Sequence, residues 1–262
     1  MLNFRILASV LDCETYESSI WCLADTYAIS VPDVEAFLSA LDIEEEYRTK
    51  NISVRGDEYL AKRCQAEFGE PVRSWGRVCW FHLTRVPLNT NFDEGILPLG
   101  LALDKVWAAV ISAQDDAGTK ARLQKMRNTG VPDRQYNLKV PASFLHGPYA
   151  MLVREVAFHS GAIGNHDYLA IPEIVEDICN GFKAETGKSI FERLENFLKP
   201  CIVKFEDCDG SDRPDDPHLR KALLYYCWSK RRNEELCYLA NTCFDARGEV
   251  IPRSAIRNIQ FL

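Results

Sequence analysis

The sequence has no pair of cysteines spaced Cys-x-x-Cys and no run of eighteen apolar residues. The first absence removes the usual zinc frames, and the second a membrane-spanning helix. The patterns Gly-x-x-x-x-Gly-Lys-[Ser/Thr], Gly-x-Gly-x-x-Gly and Gly-x-Ser-x-Gly are missing as well. P-loop, Rossmann and α/β-hydrolase chemistries are therefore not expected. There is no internal repeat and no low-complexity tract. An excess of positive charge is also lacking: the formal net charge of −7 argues against a general nucleic-acid coat. The start, Met1-Leu2-Asn3-Phe4-Arg5-Ile6-Leu7, is too short and too soon interrupted by Asp12 and Glu14 for a secretion signal. A soluble, cytoplasmic protein without membrane partners is the expectation.

What is present is ordinary globular composition, 47% apolar and 26% charged over 262 residues, enough for one large domain or a domain with a smaller companion. The ten cysteines are scattered, and Cys22, Cys79, Cys179 and Cys237 sit within apolar runs. They read as reduced, buried small hydrophobes. A metal site built from Cys201, Cys208 and a histidine is a weaker alternative. The acidic stretch from Asp207 through Asp209, Asp212, Asp215 and Asp216 lacks the calcium-loop spacing and reads as a solvated loop.

Local pattern suggests an α+β chain. Residues 1–30 hold a strand and a helix that cannot be separated. Val31-Pro32-Asp33 starts a helix, continued by Val34, Phe37, Leu38 and Leu41. Tyr59, Leu60, Cys64 and Phe68 repeat that spacing before Gly69. Residues 1–72 thus form a helical subdomain or lid, and 73–262 a core with a helical insertion over about 115–200. Gly76 to Leu83 reads as a buried strand. Helices are expected over 98–113, within 115–134, over 143–160, from Pro172 and over 190–198. Strands are expected at Cys201–Phe205, at Leu236–Leu239 and at the C-terminus.

Two segments carry the candidate chemistry. Cys79-Trp80-Phe81-His82-Leu83-Thr84-Arg85 ends an aromatic strand with an imidazole, a hydroxyl and a guanidinium. Those groups suit ribose and phosphate oxygens. The residues alone leave His82 open as either a structural or a recognition group, and Arg85 as either a ligand contact or a solvated cation. In Asn233-Glu234-Glu235-Leu236-Cys237-Tyr238, neighbouring carboxylates on a strand point to opposite faces. Either Glu234 or Glu235 could face a cleft, or both could be a charged entrance paired with Lys230, Arg231 and Arg232. Of the other histidines, His146 suggests a turn, His159 and His166 have no helical metal spacing, and His218 reads as exposed.

The first segment, with Gly95-Ile96-Leu97, resembles the "aromatic-His-Gly-[Ser/Thr]-Arg … Ile-Leu" stretch of the ADP-ribosyltransferase superfamily, in its diphtheria-toxin-like and poly(ADP-ribose) polymerase-like branch. The second resembles that branch's "Asn-Glu-aromatic-Ile-Val-Tyr" strand, and Ile256–Phe261 its last strand. The resemblance covers residues 76–110 and 225–262. It implies an ADP-ribosyltransferase-like split β core and cleavage of the nicotinamide–ribose bond of NAD, the NAD being a substrate. The ADP-ribose would go to a macromolecular acceptor, protein or nucleic acid. By the same resemblance, His82 would bind the adenosine ribose and the backbone of Leu83 the nicotinamide amide. Thr84, Arg85 and Tyr149 would complete the NAD site, with Tyr168 or Tyr136 as other candidates for stacking on nicotinamide. Glu234 or Glu235 would be catalytic. Leu83 stands where that branch usually has glycine. Toxin–antitoxin and phage-defence effectors use this fold, which implies an antitoxin or regulator protein as a further partner. The alternative is a catalytically inactive interaction protein on a related scaffold. A nucleic-acid acceptor would call for Lys221, Lys230, Arg231, Arg232, Arg253 and Arg257 on one face.

Overall fold

A computed structural model describes residues 9–141, 147–207 and 217–262. The N-terminal Met1–Leu7 stretch, His146, Cys208, Asp209, Asp212, Asp215 and Asp216 lie outside the described residues. In chain order the elements are β1 (Ser9–Leu11), α1 (Tyr16–Tyr27), α2 (Val31–Ala40), α3 (Ile43–Lys50), α4 (Gly56–Phe68) and β2 (Trp75–Pro87). Next come α5 (Leu99–Ser112), α6 (Ala117–Thr129), α7 (Arg134–Lys139), β3 (Tyr149–Met151) and α8 (Ser160–Ile163). The chain closes with α9 (Glu173–Thr186), α10 (Phe191–Phe197), β4 (Leu198–Asp207), α11 (Pro217–Arg232), β5 (Cys243–Asp245) and β6 (Ile256–Phe261). The strand order is β5-β3-β2-β4-β6, with β1 parallel to β2 and β3 antiparallel to it. This is mixed helix and largely antiparallel sheet, the α+β class expected.

The helix starts follow from local chemistry. Thr15 accepts from the Ser18 amide and Ser18 returns the bond to Thr15, a capping box that starts α1. Ser30 caps α2, with proline in its first turn as the sequence indicated. Asp116 and Asp133 cap α6 and α7.

Contacts divide the chain into two compact units, and not at residue 72. Unit 1 comprises residues 1–81, 151–165 and 205–243, and unit 2 residues 82–150, 166–204 and 244–262. The helical N-terminal residues are therefore part of unit 1 and not a subdomain on their own. In unit 1, α11 packs on α4, α1 and α2, with Trp228 Nε1 donating to the Leu41 carbonyl at 3.0 Å. Unit 2 has its own core, in which Trp107, Val110, Leu123, Met126, Ile178 and Phe182 are nearly inaccessible to solvent.

Two local expectations fail. Residues 143–160 are not one helix: β3 is followed by a 3-10 turn at Arg154–Phe158. Leu236–Leu239 is not a strand either; a 3-10 turn occupies Tyr238–Ala240. The physical reason lies just upstream. Asn233 takes a left-handed φ of 56°, the Asn233 amide donates to the Lys230 carbonyl at 3.3 Å, and the Glu234 amide to the Ser229 carbonyl at 2.8 Å. That pair of bonds is a Schellman cap ending α11. The segment that resembled a catalytic strand is a helix stop.

Nine cysteines fall in the described residues, all are free thiols, and seven are buried. Burial pushes the Cys13 and Cys227 thiols up, which keeps them protonated and inert.

Candidate functional site

The second half of β2 enters unit 2 at His82 and forms one wall of a cavity of about 750 Å³. That volume lies in the range of small-molecule sites. His82, Leu83, Thr84, Arg85 and Tyr149 all line it, as does Tyr168. Every lining residue belongs to unit 2. Apolar groups from α5 and α9, among them Leu99, Val106, Ile174 and Val175, form much of the remaining wall.

Gly95 explains its own place in the motif. It has φ +84°, and a Cβ there would meet the Ile251 carbonyl oxygen at 2.1 Å. Only glycine allows that approach. The neighbouring Ile96 then exchanges both backbone bonds with Ile251, at 2.9 and 3.0 Å. This bridge fixes the loop that carries Thr90, Asn91 and Asp93 along the cavity.

His82 is half-buried, with Nδ1 2.7 Å from the Tyr149 carbonyl oxygen. A carbonyl only accepts, so Nδ1 carries the proton and Nε2 is left as an acceptor. Burial pushes the imidazole pKa below the usual histidine range, against the pull of that hydrogen bond. The ring is neutral at physiological pH. Tyr149 is held from the other side: the Ala246 amide donates to the Pro148 carbonyl at 3.0 Å and the Gly248 amide to Gly147 at 2.8 Å. Tyr149 is 45% exposed. Tyr136 is not: it is buried, and its hydroxyl accepts from Trp107 Nε1 at 3.0 Å.

Arg85 serves the fold. Its terminal nitrogens donate to the carbonyls of Leu169 at 2.8 Å, Glu195 at 2.6 Å and Leu198 at 2.8 Å. The last two are carbonyls at the end of α10, where a helix has no internal partners for them. Arg85 Nε is buried without a partner among the described residues.

Sequence reasoning missed one carboxylate of the cavity, Glu173. Glu173 opens α9, after Pro172. Its Oε1 accepts from the Tyr168 hydroxyl at 3.0 Å, and its Oε2 lies 3.0 Å from Lys139 Nζ. Burial works to raise its pKa, but Lys139 and Tyr168 outweigh it and hold the carboxyl below the usual range. Lys139 also bonds the buried Asp177 at 2.8 Å. Pro-Glu at a helix start was a visible signal, read as helix initiation alone. The partnership with Lys139 joins distant residues and leaves no local pattern.

Glu234 and Glu235 are exposed and belong to unit 1, in the coil that follows α11. Neither lines the cavity. The cations expected to attend them are engaged elsewhere in unit 1: Lys230 with Glu155 at 2.7 Å, Arg232 with Asp42 at 2.9 Å and Arg231 with the Ser39 hydroxyl at 2.7 Å. Lys221 pairs with Glu58 at 3.3 Å, while Arg253 and Arg257 belong to unit 2. His218 is exposed, His159 is half-buried with Nε2 3.8 Å from Glu155, and His166 bonds the Ile171 carbonyl through Nε2 at 2.5 Å.

No family model, no curated protein and no solved structure matches this chain. The likeness to ADP-ribosyltransferases therefore rests on short segments, and one of them is locally a helix cap. Among the described residues no group of three or more potential metal ligands occurs, and no helix is long and apolar enough to cross a membrane.

Proposed function

We propose that unit 2 is a binding module whose cavity takes NAD, and that Glu234 and Glu235 do not act on it. One observation carries this reading: His82, Leu83, Thr84, Arg85 and Tyr149, named together from sequence, line a single cavity of nucleotide size. A neutral imidazole acceptor and an exposed tyrosine ring suit a riboside carrying a flat base. The two exposed glutamates favour binding without transfer.

A second reading is NAD-dependent ADP-ribosyl transfer to a protein or nucleic acid, on an ADP-ribosyltransferase-like core. It is favoured by Glu173, an ionised carboxylate in the cavity that His82 lines. Cleaving the nicotinamide–ribose bond develops an oxocarbenium-like centre, which a fixed negative charge stabilises. An antitoxin or other regulator protein would be a partner in that case.

The test is calorimetric binding of NAD, together with nicotinamide release at saturating NAD in the presence of cell lysate. Wild type is compared with Glu173→Gln, Glu234→Gln and Glu235→Gln. Binding without release supports the module. Release that survives both distal substitutions and disappears in Glu173→Gln supports transfer. Release that depends on Glu234 or Glu235 overturns the proposal, and absence of NAD binding removes both readings.

A further inference from the structure

The polar groups of the cavity are not arranged for phosphate. Of the cations that line it, Lys105 is paired with Glu94 at 2.5 Å and Lys139 lies between Glu173 and Asp177. Arg85 turns its terminal nitrogens to three carbonyls, and its Nε–H is buried without a partner among the described residues. Among the groups the walls offer, beside the hydroxyls of Thr84 and Thr90, are two fixed acceptors. His82 presents a neutral Nε2. Glu173 is ionised, and each of its oxygens has one partner, Tyr168 on one and Lys139 on the other. A carboxylate has roughly four acceptor sites, so about two stay open for a ligand.

A ligand that fits such walls brings hydroxyl or amino donors. Two adjacent hydroxyls, as in a ribose 2′,3′-diol, match the two oxygens of a fixed carboxylate, and acidic residues hold ribose hydroxyls in dinucleotide sites of other folds. We propose that Glu173, positioned by Lys139 and Tyr168, is the ribose-binding carboxylate of this cavity, and that ligands are recognised by their hydroxyls and not by their phosphates. The inference rests on the reading that a ribonucleotide occupies the cavity. It goes beyond that reading in assigning the specificity to one carboxylate.

The arrangement also keeps a substitution at Glu173 interpretable. In Glu173→Gln the amide oxygen can still accept from Tyr168, and Lys139 keeps Asp177 at 2.8 Å. Tyr168→Phe is the companion variant, since it loosens the carboxylate without removing its charge.

The experiment measures binding of NAD, adenosine, nicotinamide riboside and the 2′,3′-dideoxy forms of both nucleosides, with inorganic pyrophosphate as competitor. Wild type should prefer one riboside over its dideoxy form by roughly 10-fold or more, the worth of a charge-assisted hydrogen-bonded pair. Glu173→Gln should abolish that preference and weaken NAD by a similar factor, with Tyr168→Phe intermediate. Pyrophosphate should not compete, and affinity should change little with salt. Wild-type affinity for NAD in Glu173→Gln, or competition by pyrophosphate, overturns the inference while leaving NAD binding standing. Diol preference without NAD binding removes NAD as the ligand and keeps Glu173 in its role. No binding of any riboside ends both.

Discussion

At the scale of single residues, His82 shows how far a side chain can be read in advance. Its place at the end of an aromatic strand was legible, and so was its availability for recognition. Its charge state and tautomer were not, because burial in the folded chain sets the first and the Tyr149 carbonyl, sixty-seven residues away in sequence, sets the second. The state has a measurable consequence. Above the ordinary histidine pKa of 6.5 the ring is neutral whether the chain is folded or not. Below it the unfolded chain takes up a proton that the buried ring resists. Stability therefore falls as pH drops beneath that value, and this contribution stops growing once pH is under the folded pKa. His82→Asn keeps a donor for Tyr149 and removes the titration. Urea unfolding from about pH 7 to about pH 5 should show a steeper loss in wild type than in the variant. Parallel profiles would mean that the ring is as easily charged in the folded chain as in water. Arg85 and Glu173 teach the same lesson from opposite sides. A guanidinium placed for phosphate holds the end of a helix, and a glutamate read as helix initiation lines the cavity.

At the scale of elements, caps and periodicity were reliable where the signal is local. Ser30 with Pro32 began α2, and Gly69 ended α4. The errors fall where short apolar runs fit either state and only distant partners decide. Leu152, after β3, donates its amide to the Thr242 carbonyl at 3.0 Å, a bond no local window contains. The 233–239 segment is different, because its true signal was local and was outweighed by resemblance. Three basic residues followed by asparagine are a helix C-terminus: cations complement the dipole and asparagine tolerates the left-handed turn. Asn233→Ala should then cost about 1 kcal/mol of stability, and Asn233→Gly should cost nothing or stabilise slightly. Chemical denaturation of the two variants decides it. If Asn233 instead began a strand at a catalytic cleft, glycine would be the more damaging change.

At the scale of the whole molecule, the expected boundary at residue 72 followed composition, and composition does not record which distant stretches pack together. Unit 1 is assembled from residues 1–81, 151–165 and 205–243. Its longest helix, α11, buries Leu223, Leu224 and Trp228 and has α4, α1 and α2 among its packing partners. A fragment of residues 73–262 loses all three of those helices. Exposing even these side chains costs several kcal/mol, at roughly 1.5–3 kcal/mol each. Typical domain stability is about 5–15 kcal/mol, so the loss is large enough to unfold what remains of unit 1. The expected outcome is a fragment that aggregates, or one whose thermal transition by circular dichroism is broad and whose α11 amides exchange freely. Unit 2 keeps residues 82–150, 166–204 and 244–262 intact in the same fragment, so riboside binding at Glu173 gives an independent reading of its state. A soluble 73–262 fragment with protected α11 amides would show that the N-terminal helices are an appendage after all, and would restore the boundary that composition suggested.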